Sequence, residues 1–311
     1  MKRVFGLSAK ETSFARRGFC GSDARAREHL EKVGPAFMSG CDAALEETDL
    51  DALAARLNRV PLEMHGFAFE GAAMGLALLD WLTPWQRSRV QAFLLGPGHP
   101  HAYMVHVGVG WVLARTPGSV ERRLARMEPL LRWLAIDGYG FHEGFFHWPR
   151  YIDGQPAPRR LRGYSRRAFD QGFGRSLWFV DGADVESVPR TIARFPAERQ
   201  PDLWSGVGLA ATYAGGIGAA ALRALREAAG DCRPQLAQGA AFAAKARQRA
   251  GNITGHTEMA AEVLCGLSAP QAAQVTDEAL ENLPANSLEP AYEIWRCRIQ
   301  RTFKHRHEMR R

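Results

Sequence analysis

Lysine is nearly missing from this sequence. It supplies five of the 40 basic residues, so the remaining 35 are arginine. Arginine makes planar, bidentate contacts with phosphate and carboxylate. With a formal charge of +7, it points to an acidic partner: a carrier protein, an anionic membrane face or a phosphorylated ligand. A base composition that favours Arg and Ala codons accounts for the same imbalance. The basic residues are scattered and fit no nucleic-acid module, which excludes a nucleic-acid partner.

Cysteine is also scarce. The five, Cys20, Cys41, Cys232, Cys265 and Cys297, are far apart and contain no CxxC. That excludes a haem CxxCH site and a disulfide framework, and it reads as a reduced, cytoplasmic protein with mostly buried thiols. Long apolar runs are absent too. The windows 71–82 and 205–225 are broken by Arg, Asp or paired Gly before the ~18–20 apolar residues that a membrane span needs. Residues 1–22 are polar and basic without the apolar core of a secretory signal. No GxSxG elbow, P-loop or strand-led Rossmann fingerprint is present. Alternating strand patterns are weak, and the best candidates are 175–181 and 101–109.

What is present is a core and a period. The 311 residues are 46% hydrophobic and include 16 Phe and 8 Trp, enough to bury one large domain. No low-complexity linker divides the chain, so 1–311 reads as a single domain behind an irregular basic lead-in at 1–22.

A Gly-x-(Gly or Ala) pattern, usually followed by a large residue, occurs seven times. The first residues of the copies are Gly34, Gly71, Gly108, Gly138, Gly172, Gly206 and Gly239, spaced 37, 37, 30, 34, 34 and 33 residues apart. A period near 34 fits one two-helix hairpin per repeat. The expected fold is therefore all-α: a helical-repeat domain of about seven hairpins, as an α-solenoid or a closed α/α array. Glycine inside a helix costs ~1 kcal/mol relative to Ala. Its repeated use implies close approach of a neighbouring helix or of a ligand.

Helices are predicted over 24–47 with a bend at Gly34-Pro35, 50–60, 61–81, 84–95 opened by Thr83-Pro84, 101–115, 119–135 and 137–147. Further helices are predicted over 165–180, 185–194, 202–214 closed by Gly215-Gly216, 219–229, 235–250, 256–265, 270–280 with Ser268 as N-cap, and 289–305. After the fourth copy the partner helix is replaced by an Arg- and Pro-rich loop at 149–164. Loops of that length are often functional.

The fourth copy is the richest in reactive groups: Asp137, His142, Glu143 and His147. A zincin needs His at i and i+4 around a Glu, but here the second His is at i+5. Glu143 and His147, at i and i+4, remain as weak metal candidates, with Asp137 a distant third. General acid–base use of His142, Glu143 or His147 is the alternative. His106 lies on the preceding copy beside Tyr103 and is expected to face the 137–147 helix. Arg175 replaces a large apolar residue in the fifth copy.

In five copies a polar residue precedes the first glycine: Glu70, Asp137, Gln171, Ser205 and Gln238. Equivalent positions of a stacked repeat line one surface, so these residues, with Trp178 and Tyr103, are candidates for a narrow substrate groove. Hydrogen bonding between helices is the plainer role for them. Arg159, Arg160 and Arg162, near Arg150, Arg166 and Arg167, form the densest basic cluster and a candidate docking loop.

The runs His65–Gly75 (HGFAFEGAAMG), His101–Trp111 (HAYMVHVGVGW), Asp137–His142 (DGYGFH), Gly172–Trp178 (GFGRSLW) and Asp202–Ala210 (DLWSGVGLA) resemble the UnbL family of enediyne biosynthesis. The resemblance extends from Phe14–Phe19 to Tyr292–Arg298. It implies an accessory protein, encoded beside an enediyne polyketide synthase, that binds or acts on a linear polyene during core maturation. A membrane-bound cassette protein is its implied partner. The resemblance carries over no catalytic residue and no cofactor. Three readings follow: an enzyme using His106, Asp137, His142, Glu143 and Arg175; a non-catalytic scaffold for a carrier or partner protein; and a metal-dependent enzyme.

Overall fold

The computed structural model describes residues 9–86, 88–152, 156–284 and 287–308. After a 3-10 turn at Ala9–Thr12 and a single turn at Phe14–Arg17, the helices are α1 Ala24–Glu31, α2 Val33–Glu46, α3 Leu50–Leu57, α4 His65–Leu82, α5 Arg89–Leu95 and α6 Ala102–Arg115. Then follow α7 Val120–Leu124, α8 Arg132–Ile152, α9 Ser165–Val180, α10 Ser187–Ile192 and α11 Gln200–Tyr213. The chain continues with α12 Ala219–Ala228, α13 Arg233–Arg249, α14 Gly255–Cys265, α15 Ala269–Glu278 and α16 Ala291–Glu308. The described residues contain no strand, and the candidates 175–181 and 101–109 lie in helices. The fold is all-α and solenoid-like, and among the described residues no helix is long and apolar enough to cross a membrane.

Seven helices, α2, α4, α6, α8, α9, α11 and α13, stack side by side in chain order. Their register is parallel: Gly71 meets Phe37, and Gly75 meets Cys41 one turn later. The short helices α3, α5, α7, α10 and α12 return the chain. Between α8 and α9 no helix occurs among the described residues.

The glycines explain the stack. A Cβ on Gly108, Gly138, Gly172, Gly206 or Gly239 would collide with a backbone carbonyl of the preceding helix, from Glu70, Val107, Asp137, Gln171 and Ser205 in turn. A Cβ on Gly110, Gly140, Gly174 or Gly208 would collide with a carbonyl of the following helix, from Ala135, Phe169, Leu203 and Leu236. Residues two apart on a helix point in nearly opposite directions. Each Gly-x-Gly therefore thins its helix on both sides at once, toward the neighbour behind and the neighbour ahead. The ~1 kcal/mol propensity cost of each glycine is offset by backbone-to-backbone dispersion and Cα–H···O contacts.

The structure departs from the sequence reading in five places. The first copy is shifted by one turn. Gly34 faces the Thr12 side chain, whereas Gly40 meets the Ala68 carbonyl and Phe37 lies under Gly71. The helix predicted from Pro84 starts at Arg89, because the Asp80 carboxylate accepts the N–H groups of Ser88, Arg89 and Val90. The stretch 119–135 is split, since the Glu128 carboxylate takes the N–H groups of Leu130 and Leu131 and a new helix begins at Arg132. The lead-in is tied down: Phe14 is buried and packs edge-on against Phe19, which meets Phe145, and the Cys20 N–H donates to the Val180 carbonyl at 2.7 Å. Finally, α8 continues past the expected loop start to Ile152. It kinks at His147 (φ −133°, ψ 21°) ahead of Pro149, which cannot donate to the helical ladder. Residues 153–155 of the Arg/Pro-rich loop lie outside the described residues, as do 1–8 of the lead-in.

Candidate functional site

The residue before each first glycine has its backbone under the next helix, and its side chain turns to the interior. Glu70, Asp137, Gln171, Ser205 and Gln238 are all buried, at most 3% exposed. Asp137, Gln171, Ser205 and Gln238 form one connected chain. Arg175 pairs with Asp137. Gln171 donates from Nε2 to Asp137 Oδ2 at 2.7 Å and to the Tyr292 hydroxyl at 3.1 Å. Ser205 Oγ lies 3.5 Å from Gln171 Oε1 and donates to Gln238 Oε1 at 2.9 Å. Arg296 Nε donates to the same Gln238 oxygen at 3.2 Å. Arg296 then reaches Asp202 (2.7 Å) and Glu293 (3.1 Å), which also pair with Arg167. The buried charges are thus matched, as burial demands.

The row works as hydrogen bonds between helices, and α16 seals it with the fully buried Tyr292, Trp295 and Arg296. The row's side chains are closed off from solvent among the described residues. The sequence missed Arg296, Asp202, Glu293 and Tyr292. Asp202 was detectable as the residue one turn before Ser205 on the same inward stripe.

Glu70 stands apart from that chain. Its carboxylate accepts from Trp111 Nε1 at 3.0 Å and lines a cavity of ≈ 40 Å³ enclosed by α2, α4, α6, α8, α9, α11 and the 3-10 turn at Thr12. Eight aromatic residues form its wall: Phe37, Phe67, Trp111, Phe141, Phe145, Phe146, Phe179 and Tyr213. Arg175 and Glu70 supply its charges. Burial pushes the Glu70 carboxyl up to about 7, against the opposing pull of Arg175 and the Trp111 hydrogen bond. A group titrating there is suited to moving protons near neutral pH. The Arg175 guanidinium sits over the Phe141 ring, 4.9 Å from its centroid. Among the described residues, the Tyr213 hydroxyl, on a side chain 2% exposed, and Arg175 Nε have no hydrogen-bond partner. Buried polar atoms are seldom left so, and both belong to side chains on the cavity wall.

The remaining candidates separate from this cavity or flank it. His142 and Glu143 are together, with Nδ1 3.3 Å from Oε1, and the Tyr151 hydroxyl donates to the other Glu143 oxygen at 2.6 Å. Burial pushes Glu143 up, but the hydrogen bonds from His142 and Tyr151 outweigh it and hold the carboxyl below its usual value. Burial likewise lowers His142, which keeps the imidazole neutral. The His142 ring packs edge-on against Trp111, so the pair adjoins the cavity wall from behind. His147 is exposed beyond the kink, where the helical i, i+4 relation to Glu143 is lost. Among the described residues no three His, Cys, Asp or Glu side chains come together as metal ligands.

His106 does not join the 137–147 helix through a polar contact. Its Nδ1 is 2.7 Å from the Ala102 carbonyl, and burial lowers its pKa. Tyr103 packs against Trp295 and under Arg249. Trp178 is fully buried and donates to the Gly215 carbonyl at 2.9 Å. Arg160 is half-buried and tied down. It donates to the carbonyls of Leu113, Ala114 and Thr116 at the end of α6 and to the Tyr139 hydroxyl. The basic loop therefore presents Arg159 and Arg162 outward, without Arg160.

No curated protein and no solved structure matches this chain. A family model described as "Protein of unknown function (DUF1702)" matches residues 1–303. The glycine-thinned helical stack and its aromatic cavity thus belong to a protein that is a member of the DUF1702 family.

Proposed function

We propose that this protein binds an apolar, unsaturated small molecule and moves a proton on it. A linear polyene of enediyne-type polyketide biosynthesis, as the sequence resemblance implies, is the substrate that suits the site. The supporting observation is a single carboxyl, Glu70, raised to about 7 inside a wall of eight aromatic residues. Aromatic faces stack on a conjugated chain, and a carboxyl that is half protonated near neutrality exchanges protons with it in either direction. Arg175 stabilises negative charge that develops nearby, and Tyr213 offers its unpaired hydroxyl to a polar end group. The ≈ 40 Å³ present is room for a few waters, so a ligand enters by displacing side chains of the wall.

The test is an absorbance titration of the purified chain with a linear conjugated polyene. Wild type is expected to bind with a red shift. Ala210→Phe, which fills the cavity, is expected to abolish binding, whereas Glu70→Gln binds and turns nothing over. Binding that survives Ala210→Phe unchanged overturns the site. Turnover by Glu70→Gln at the wild-type rate overturns the proton-transfer role and leaves a non-catalytic carrier of the same ligand.

A further inference from the structure

A second, larger cavity lies at the other end of the stack, where α12, α13, α14 and α16 meet. Its volume is ≈ 600 Å³, within the range of small-molecule sites. Arg226, Arg233, Arg301, Lys304 and Arg306 line it, and among the described lining residues Asp231 supplies the one carboxylate. Arg233 is partly neutralised by Glu227. Arg301, Lys304 and Arg306 are exposed and have no carboxylate partner among the described residues. The opposite wall is apolar, built from Ala237, Leu264 and Phe303. By contrast, the buried or half-buried Arg175, Arg199, Arg160 and Arg296 are matched to carboxylates or carbonyls. Here three cationic side chains, Arg301, Lys304 and Arg306, border one open volume with no carboxylate partner among the described residues.

We propose that this pocket binds a phosphorylated organic small molecule, with the phosphates on Arg301, Lys304 and Arg306 and an apolar portion against Leu264 and Phe303. Arginine forks match phosphate oxygens bidentately, and the three positive charges of Arg301, Lys304 and Arg306 call for more than one negative charge. The volume and the apolar wall call for more than an inorganic ion. Two thiols face the pocket, and neither is a nucleophile there. Burial raises both, and the Glu293 carboxylate beside Cys297 helps push it to about 11. The role is therefore binding rather than covalent catalysis.

The experiment is calorimetric titration of the full chain at low salt with two probes, ADP and inorganic pyrophosphate. ADP is expected to bind about tenfold more tightly than pyrophosphate, because burial of its base adds apolar contact. The double variant Arg301→Glu/Lys304→Glu is expected to weaken ADP at least about tenfold through the reversed charge. Both side chains are exposed, so an unchanged Tm will show that the fold survives. Ala210→Phe, which fills the aromatic cavity, is expected to leave ADP affinity unchanged, so the two sites stand or fall separately. No binding of ADP at millimolar concentration, or equal binding by the double variant, overturns the proposal. Pyrophosphate binding as tightly as ADP makes this an inorganic-anion site and overturns the organic part.

Discussion

Gly172 rests on the backbone carbonyl of Asp137, and the side-chain carboxylate of the same Asp137 pairs with Arg175 on the helix that carries Gly172. A single pair of helices is thus fixed twice, by contact and by charge. An added methyl at Gly172 meets backbone, which has no rotamer to yield. Gly172→Ala is expected to destabilise the protein by about 2 kcal/mol or more, although Ala is the better helix former. Gly255→Ala, at the open start of α14 with nothing within 4 Å of an added Cβ, is expected to be neutral or to stabilise by up to ~1 kcal/mol. Urea unfolding of both variants measures the contrast. Equal effects would remove the packing account.

The buried ion pair is expected to be costly to break and cheap to remove. Asp137→Ala leaves the Arg175 charge uncompensated beside a ring and should cost about 3–5 kcal/mol. Asp137→Leu combined with Arg175→Met restores apolar volume and should cost less than either single change. A double-mutant cycle in thermal or chemical unfolding gives the coupling, and additive losses would contradict it.

Two buried groups bias stability in opposite directions with pH. Glu70 is raised from 4.5 to about 7. The folded state therefore holds its proton longer than the unfolded chain does. Its contribution is complete below pH 4.5 and is lost as the pH rises through 7. His101 is lowered from 6.5 to about 4 by burial, where it stacks on Phe69 with ring centroids 3.9 Å apart. Its contribution is complete above pH 6.5 and is lost as the pH falls toward 4. The slopes oppose each other in wild type. Glu70→Gln is expected to remove a decline on the order of 3 kcal/mol between pH 4.5 and 7, leaving the acid-side loss of His101 visible. Unfolding free energies measured across that range test it. Parallel wild-type and Glu70→Gln curves would show that Glu70 titrates normally.

Arg160 holds the end of α6 to the loop before α9. Removing it strands the carbonyls of Leu113, Ala114 and Thr116. Arg160→Ala is therefore expected to cost about 2 kcal/mol. Arg159→Ala and Arg162→Ala, both exposed, are expected to stay within about 0.5 kcal/mol. Thermal unfolding of the three variants separates structural from surface arginines.

The sequence by itself determined that the chain is helical and that a glycine-bearing helix recurs along it. The ~34-residue period, the spacing of Gly108-Val109-Gly110 and its sisters, and the caps at Ser268 and Gly215 are local signals, and helices form from local signals. The polar row of Glu70, Asp137, Gln171, Ser205 and Gln238 was legible for the same reason, because equivalent places in a repeat face the same way. Much of the cavity was within reach too. Trp111, Phe141, Arg175 and Leu209 stand three residues after the first glycine of their copies, and Phe145, Phe179 and Tyr213 stand seven after, on the same inward stripe.

Only the tertiary structure decided how those stripes meet. The first copy takes its register from Gly40 on Ala68 rather than from Gly34, because a helix chooses its neighbour by the carbonyl it can touch. Gln171 is bonded to Asp137 and sealed under Tyr292, whereas Glu70 is left with Trp111 in an aromatic wall. Arg160 looks like its neighbours in sequence, and only the carbonyls at the end of α6 distinguish it. Each of these depends on groups about 30 to 120 residues apart, and burial, which sets the charge on Glu70 and His101, exists only once the helices have packed.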